Sequence, residues 1–115
     1  RTWLHVKDTS SAVLKIMDLA KENEIYNISG GFEQQNIETV KKIINCYNPQ
    51  YQWEQHVDLD FSRPGQDVRY SLNDDKIRNL GWAPKQQFNK EILGIVNFFL
   101  SIFNQILSLV NILNP

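Results

Sequence analysis

Apolar residues recur every three or four positions in two segments of the chain, which is the spacing of one face of an α-helix. The first segment follows Asp8 or Thr9, and either residue can cap a helix. The second follows Asn36 as its expected N-cap and ends at Asn48, before a proline. The predicted buried faces are Val13, Ile16, Met17 and Ala20 in the first helix and Ile37, Val40, Ile43, Ile44 and Tyr47 in the second.

Three short segments resemble β-strands in composition or alternation. Residues 2–6 alternate weakly, residues 25–28 are β-prone, and every second residue of 56–61 is apolar. Gly30 and Gly31 follow the second segment and predict a tight turn. The order strand, helix, strand, helix predicts an α/β fold.

A short third helix is predicted to open at Asn73 or Asp74. Gly81 stands where a helix C′ glycine is expected, with a proline soon after. Trp82 is expected to pack back on this helix.

The last part of the chain, residues 92–115, contains no charged residue. Asn89 is the expected N-cap of a tail helix, with Phe88 packing on Leu93. Polar residues recur on it every three or four positions, so they form one stripe on an otherwise apolar helix: Asn97, Ser101, Asn104, Gln105, Ser108 and Asn111. A helix packed in a core or subunit seam is favoured over one in or on a membrane, since Asn and Gln are costly in lipid. A tail altered by frameshift or engineering is the third alternative.

Composition limits the classes of function. The 115 residues suffice for one small domain, and a net charge of -1 gives no field that attracts nucleic acid, so a phosphate site must be local. The single cysteine, Cys46, allows no internal disulfide, which favours the cytoplasm. The chain opens on Arg1 without an export signal, and we expect it to be part of a longer polypeptide.

One loop has the residue types of a diphosphate site. In Arg63-Pro64-Gly65-Gln66-Asp67-Val68-Arg69, proline stiffens the chain, glycine permits close approach of a ligand, and the two arginines offer forked donors. An ordinary turn with Arg63 paired to Asp60 or Asp67 is the alternative. No dinucleotide-binding glycine motif, P-loop or zinc motif is present in the sequence, and His5 and His56 stand alone.

Six motifs in this order carry a family resemblance: Arg1-x-Trp3-Leu4-His5-Val6-x-Asp8, Tyr26-Asn27-Ile28-x-Gly30-Gly31, Asn36-Ile37, Arg63-Pro64-Gly65-x-Asp67-x-Arg69-Tyr70, Lys76-Ile77 and Leu80-Gly81-Trp82-x-Pro84. The chain from Arg1 to about Phe88 resembles the C-terminal part of nucleotide-sugar dehydratases and epimerases of the extended short-chain dehydrogenase/reductase superfamily. The 4,6-dehydratases that act on dTDP-hexoses are the most similar. Resemblance implies nothing about the tail.

The resemblance implies the C-terminal substrate-binding portion of an extended Rossmann-type fold, with about four helices and short strands of parallel type. Residues 1–88 would bind the nucleotide-sugar, and residues 89–115 would form the apolar tail helix. NAD would be bound by an upstream half, and none is expected on this chain alone. A protein surface, that half included, would cover the tail.

The site residues implied by the resemblance are Arg1, Asn36, Arg63, Pro64, Gly65, Gln66 and Asp67. Gln66 stands where the family commonly has histidine, which puts the ribose contact in doubt. The Tyr-x-x-x-Lys pair and the acid/base pair of the reaction match no position here. We therefore expect no catalytic residue in this chain and no turnover by it alone.

Overall fold

The computed structural model describes residues 1–61 and 64–113, with side chains described up to residue 108. Its regular elements are β1 (Thr2–Trp3), α1 (Val6–Leu19), β2 (Phe32–Glu33), α2 (Asn36–Tyr47), a 3₁₀ turn (Trp53–His56), α3 (Asp75–Arg78) and α4 (Phe88–Leu113). The described part is therefore a small helix-rich arrangement with two short strands. It agrees with the α/β expectation at that coarse level, and it contains no Rossmann sheet.

The two strands pair in antiparallel register, Thr2 with Glu33 and Trp3 with Phe32. Two further backbone hydrogen bonds extend the ladder, from the Arg1 nitrogen to the Gln34 carbonyl (2.8 Å) and from the Gln34 N–H to the Arg1 carbonyl (3.0 Å). The expected parallel strands are thus wrong for the described residues. Helix α1 and the irregular chain after it return β2 to the side of β1 in the opposite direction.

Helix α1 begins at Val6, earlier than expected, because His5 is its N-cap and the His5 Nδ1 accepts the Lys7 N–H (3.1 Å). Asp8 in the first turn is 3% exposed, and the buried face continues through Ala12 and Ile16. The predicted buried face is therefore wrong at two positions, since Val13 and Met17 are exposed.

Helix α2 has the predicted bounds, but Asn36 is its first residue rather than its N-cap. Gln35 occupies the N-cap position and makes no side-chain cap hydrogen bond. Thr39 is the buried residue of this helix. Ile43 and Tyr47, one and two turns further along, are exposed within this chain and border an open apolar groove beside α4.

Two predicted strands are absent from the described residues. Residues 25–28 run as irregular chain, with Ile28 against the core and Ile25 exposed. Of residues 56–61, His56 ends the 3₁₀ turn, and the Asp58 side chain then accepts the N–H groups of the two residues that follow Leu59 (3.0 and 3.2 Å). Alternation provided an apolar face, but neither segment pairs with a neighbouring strand, which a sheet requires.

The core lies where α1 meets α3. Ala12, Ile77 and Trp82 are buried together, and the Trp82 Nε1 donates to the Ser11 Oγ (2.9 Å). Gly81 has φ +80°, the left-handed conformation that ends a helix. The predicted packing of Trp82 on α3 is confirmed.

Helix α4 begins at Phe88, so Asn89 lies inside it and is not its N-cap. The Gln87 carbonyl accepts the first helical N–H groups (2.9 and 3.0 Å). The Phe88 ring stacks on Phe32 (centroids 5.2 Å apart) and contacts Trp3, whereas Leu93 is exposed, so the expected staple is wrong. Residues 88–108 are long and apolar enough to cross a membrane by length and composition, and almost all of them are unburied.

Candidate functional site

An open cleft of about 850 Å³ lies between the strand pair, the start of α2 and the loop that follows Gly65. Three separate segments contribute its lining: Arg1, residues 33–37 and residues 66–69. Segments more than sixty positions apart therefore meet at one opening, which only the tertiary fold produces.

Arg1 contributes a cation to the cleft. Its guanidinium lies 4.1 Å from the centre of the Tyr70 ring, and its Nη1 donates to the Asp67 carbonyl (3.3 Å). Among the described residues, the ion pairs join other cations to carboxylates and leave Arg1 without one. Its charge is held in place by a ring and a neutral carbonyl, so it remains available to an anion.

The N-terminus of α2 forms a second wall. Gln35 caps this 12-residue helix with its backbone only, and the Thr39 N–H is the first to bond back to the Gln35 carbonyl (3.2 Å). The N–H groups of Asn36 and Ile37 precede that bond and lie at the positive end of the helix dipole. Such an end favours a phosphate or carboxylate.

Two carboxylates near the cleft are engaged by partners. Both Glu33 oxygens accept hydrogen bonds from Arg69, at 2.6 Å from Nε and 2.7 Å from Nη2. These hydrogen bonds lower the pKa of Glu33 and raise the pKa of Arg69. A hydrogen bond to the Asp67 carboxylate, and that negative charge, raise the pKa of Tyr70. The Glu33 charge is thus met by a cation, whereas the Asp67 carboxylate meets the Tyr70 phenol.

Four of the expected site residues line this cleft: Arg1, Asn36, Gln66 and Asp67. Pro64 and Gly65 form the exposed turn directly before Gln66, and Gly65 has φ +73°, a conformation that suits glycine. Arg63 lies outside the described residues, as does its alternative pairing with a nearby aspartate.

Sequence reasoning named Arg69 as a possible phosphate donor, but it did not assign Glu33 to the site or pair the two residues. Thirty-six positions separate them, and their pairing depends on the loop folding over β2. The acidic residue after Phe32 and the arginine two places after Asp67 were visible in the sequence. No pattern in the sequence indicated that these two residues form an ion pair.

The described glycine turn does not fit NAD. Gly30 and Gly31 lead into β2 rather than into a helix, and a dinucleotide loop needs a helix N-terminus at that point. Gly30 also lies against the Trp3 backbone, where a Cβ would come within 2.8 Å of the Trp3 carbonyl carbon. Among the described residues there is also no group of three metal-ligating side chains.

Comparison with known proteins identifies the class. The sequence model of the GDP-mannose 4,6 dehydratase family matches residues 1–93, and the chain belongs to this family. The resemblance on which the site was predicted is confirmed. The match stops a few residues into α4, so most of that helix lies beyond it.

Individual similar proteins show which members of this dehydratase family the chain resembles. The chain is 33% identical over 109 residues to dTDP-glucose 4,6-dehydratase of Shigella flexneri, covering 90% of this chain and 30% of that protein. It is 31% identical over 107 residues to dTDP-D-glucose 4,6-dehydratase of Homo sapiens, covering 90% and 31%. It is 30% identical over 100 residues to the low-salt glycan biosynthesis protein Agl12 of Haloferax volcanii, covering 87% and 31%. The chain spans about 30% of the length of these relatives.

Proposed function

We propose that this chain is the substrate-binding part of a nucleotide-sugar 4,6-dehydratase and that its cleft takes the nucleoside diphosphate of a dTDP-hexose. The supporting observation is the cleft itself, in which Arg1, the start of α2 and the loop at Gln66 and Asp67 meet. The names of the similar dehydratases specify dTDP-glucose as the sugar nucleotide on which those proteins act.

The proposed roles follow from the chemistry of each group. The Arg1 guanidinium and the free N–H groups at the start of α2 meet the phosphate charges. The Asn36 and Gln66 amides donate to and accept from the nucleoside, and the Asp67 carboxylate accepts from its hydroxyl or N–H groups. Pro64 and Gly65 shape the turn, and Arg63 adds a second cation by its place in the motif.

Redox chemistry belongs to another part of the polypeptide in this proposal. The sequence has no Tyr-x-x-x-Lys pair, so an NAD-binding half outside these residues would remove and return the hydride. The chain alone would bind without turnover, and a cytoplasmic location fits such an enzyme.

Titration calorimetry with thymidine diphosphate tests the proposal on the full chain, with folding checked by circular dichroism. Arg1→Gln should weaken binding by roughly tenfold or more, because charge-assisted hydrogen bonds contribute about 1.5–3 kcal/mol. Lys21→Gln is the matched control, since Lys21 is exposed after α1 and outside the cleft lining. No heat from folded chain at millimolar ligand, or equal losses in both variants, would contradict the proposal.

A second candidate function concerns residues 89–115 as an interaction segment. The 26-residue α4 is about 39 Å long and carries no charge after Glu91. Phe98 and Phe103 are both more than half exposed, so the helix presents an apolar surface to lipid or to another protein.

Co-sedimentation with neutral phosphatidylcholine vesicles tests the membrane form of this candidate. The full chain should pellet with the vesicles, and a chain ending at Leu100 should not, because the deletion removes most of the uncharged surface. Full chain that stays in the supernatant rejects membrane association.

A further inference from the structure

The lining of the cleft includes the side chain of Glu33, which a diphosphate ligand would approach. A bare carboxylate there would repel the phosphates, because like charges at close range raise the free energy of the bound state. The contacts that balance the Glu33 charge therefore matter if the cleft takes a diphosphate, and the inference from them rests on the proposed function.

Arg69 meets both oxygens of Glu33. The two N···O distances are 2.6 and 2.7 Å, and the paired geometry occupies two of the guanidinium donors on one carboxylate. The pair is partly open to solvent, with 35% of the Glu33 side chain and 68% of the Arg69 side chain exposed. The charge of Glu33 is therefore balanced at the edge of the cleft.

The same contact fixes the loop that carries Gln66 and Asp67. Glu33 belongs to β2, which is tied to β1, whereas Arg69 belongs to a loop without regular structure. The Thr2 Oγ1 also donates to the Tyr70 carbonyl (2.8 Å), on the other side of Arg69. Arg69 thus joins the cleft loop to the strand pair.

We propose that Arg69 is a positioning residue that acts through Glu33. It balances the Glu33 carboxylate and holds the loop at Gln66 and Asp67 beside Arg1, and it leaves direct phosphate contact to Arg1 and the α2 N-terminus. Replacing Arg69 should therefore weaken ligand binding only while Glu33 carries its charge. A residue that contacted the ligand directly would affect affinity with or without Glu33.

The position of the pair separates this role from a purely structural one. A partly exposed ion pair contributes little to global stability, because water screens it and both side chains lose freedom when they pair. Its loss should therefore change the melting temperature slightly, while an unbalanced carboxylate in the cleft should weaken anion binding clearly.

Four full-length chains test the proposal: the parent, Glu33→Gln, Arg69→Gln and the double variant. Thymidine diphosphate affinity is measured by calorimetry at one low ionic strength, because salt screens the effect. Arg69→Gln should weaken binding about tenfold, as expected for one unbalanced charge a few ångströms from the phosphates. The double variant should recover to within about threefold of the parent, and Glu33→Gln should bind at least as tightly as the parent.

Uncharged thymidine is the matched ligand control. The Arg69→Gln penalty should largely vanish with thymidine, because no phosphate then faces Glu33. A double variant as weak as Arg69→Gln, or an equal penalty with thymidine, would overturn the inference while the proposed function stands. A parent chain that is folded but binds no thymidine diphosphate would overturn both.

Discussion

Asp8 is the buried acidic residue that ties α1 to the segment preceding α4. Its Oδ1 accepts the Lys85 N–H and its Oδ2 accepts the Gln86 N–H, both at 2.9 Å. Residues 85 and 86 belong to no strand, so the Asp8 carboxylate supplies the acceptors for their backbone N–H groups. The same contacts fix which side of α1 faces the core.

Asp8→Ala should lower the free energy of unfolding by about 2–3 kcal/mol, because two backbone donors lose a charged acceptor. Urea unfolding followed by circular dichroism measures the change. Asp18→Ala, at an exposed position of the same helix, is the control and should stay within about 0.5 kcal/mol of the parent. Similar losses in the two variants would show that the tie contributes nothing particular.

The Glu33–Arg69 pair predicts a pH dependence of stability. Hydrogen bonding to Arg69 lowers the pKa of Glu33 below its unfolded value. A group of this kind adds stability above its unfolded pKa, and the contribution is lost as pH falls through the folded pKa. The stability advantage of the parent over Glu33→Gln should therefore be constant near neutrality and disappear on acidification.

Thermal unfolding of the parent and Glu33→Gln across a pH series measures this difference. Glu54→Gln is the control, because Glu54 is exposed and forms no ion pair among the described residues. An advantage that grows as the pH falls would contradict the assigned direction.

Individual site residues differ in how far the sequence could find them. Arg1, Asn36 and Asp67 were reached through motifs, since each stands in a short recognisable string. The balance of Glu33 by Arg69 was not, because a pair of charges across a cleft has no fixed spacing along the chain.

At the scale of elements, the turn into β2 depends on the absence of a side chain at Gly30. A Cβ there would overlap the Trp3 carbonyl oxygen and come within 3.1 Å of the Leu4 Cα, and these backbone atoms cannot rotate away. Gly94, on exposed α4, would meet nothing within 4 Å.

Gly30→Ala should destabilise the chain by at least about 2 kcal/mol, because the strand pair must separate to admit the methyl group. Gly94→Ala should leave stability unchanged or raise it by up to about 1 kcal/mol, since alanine favours helix over glycine. Chemical unfolding of both variants checks the contrast. Equal effects would mean that Gly30 does not pack against β1 as described.

The helices were predictable and two of the strands were not, for one reason. A helix forms its backbone hydrogen bonds within a single segment, so α2 and α3 appear where local spacing and end signals place them. A strand needs a second strand at its side. Residues 25–28 and 56–61 have the right local pattern without such a neighbour among the described residues.

At the scale of the whole molecule, α4 contributes no residue to the lining of the cleft. The α4 residues contact α2 through the apolar groove, whereas the cleft is built from residues at or before position 69. The start of α4 is linked to the cleft through Lys42, which donates to Gln34 and Asn89, but residues 101–115 lie beyond that link, and distant residues without shared partners usually act independently.

A chain ending at Leu100 should therefore keep its thymidine diphosphate affinity within about twofold of the full chain. It should also elute as a smaller species wherever the full chain self-associates, because the exposed apolar surface is removed. Calorimetry and size-exclusion chromatography measure the two properties. A large loss of affinity would show that the tail supports the cleft.

The sequence by itself determined the family, the extents of α2 and α3, the C′ glycine at position 81 and the packing of Trp82, because these depend on local spacing and short motifs. The tertiary structure alone decided which face of α1 is buried, which strands pair and how Arg69 meets Glu33. Those features depend on contacts between distant segments. The free energy of such contacts depends on which residues are neighbours in three dimensions, and local spacing along the chain does not predict those neighbours.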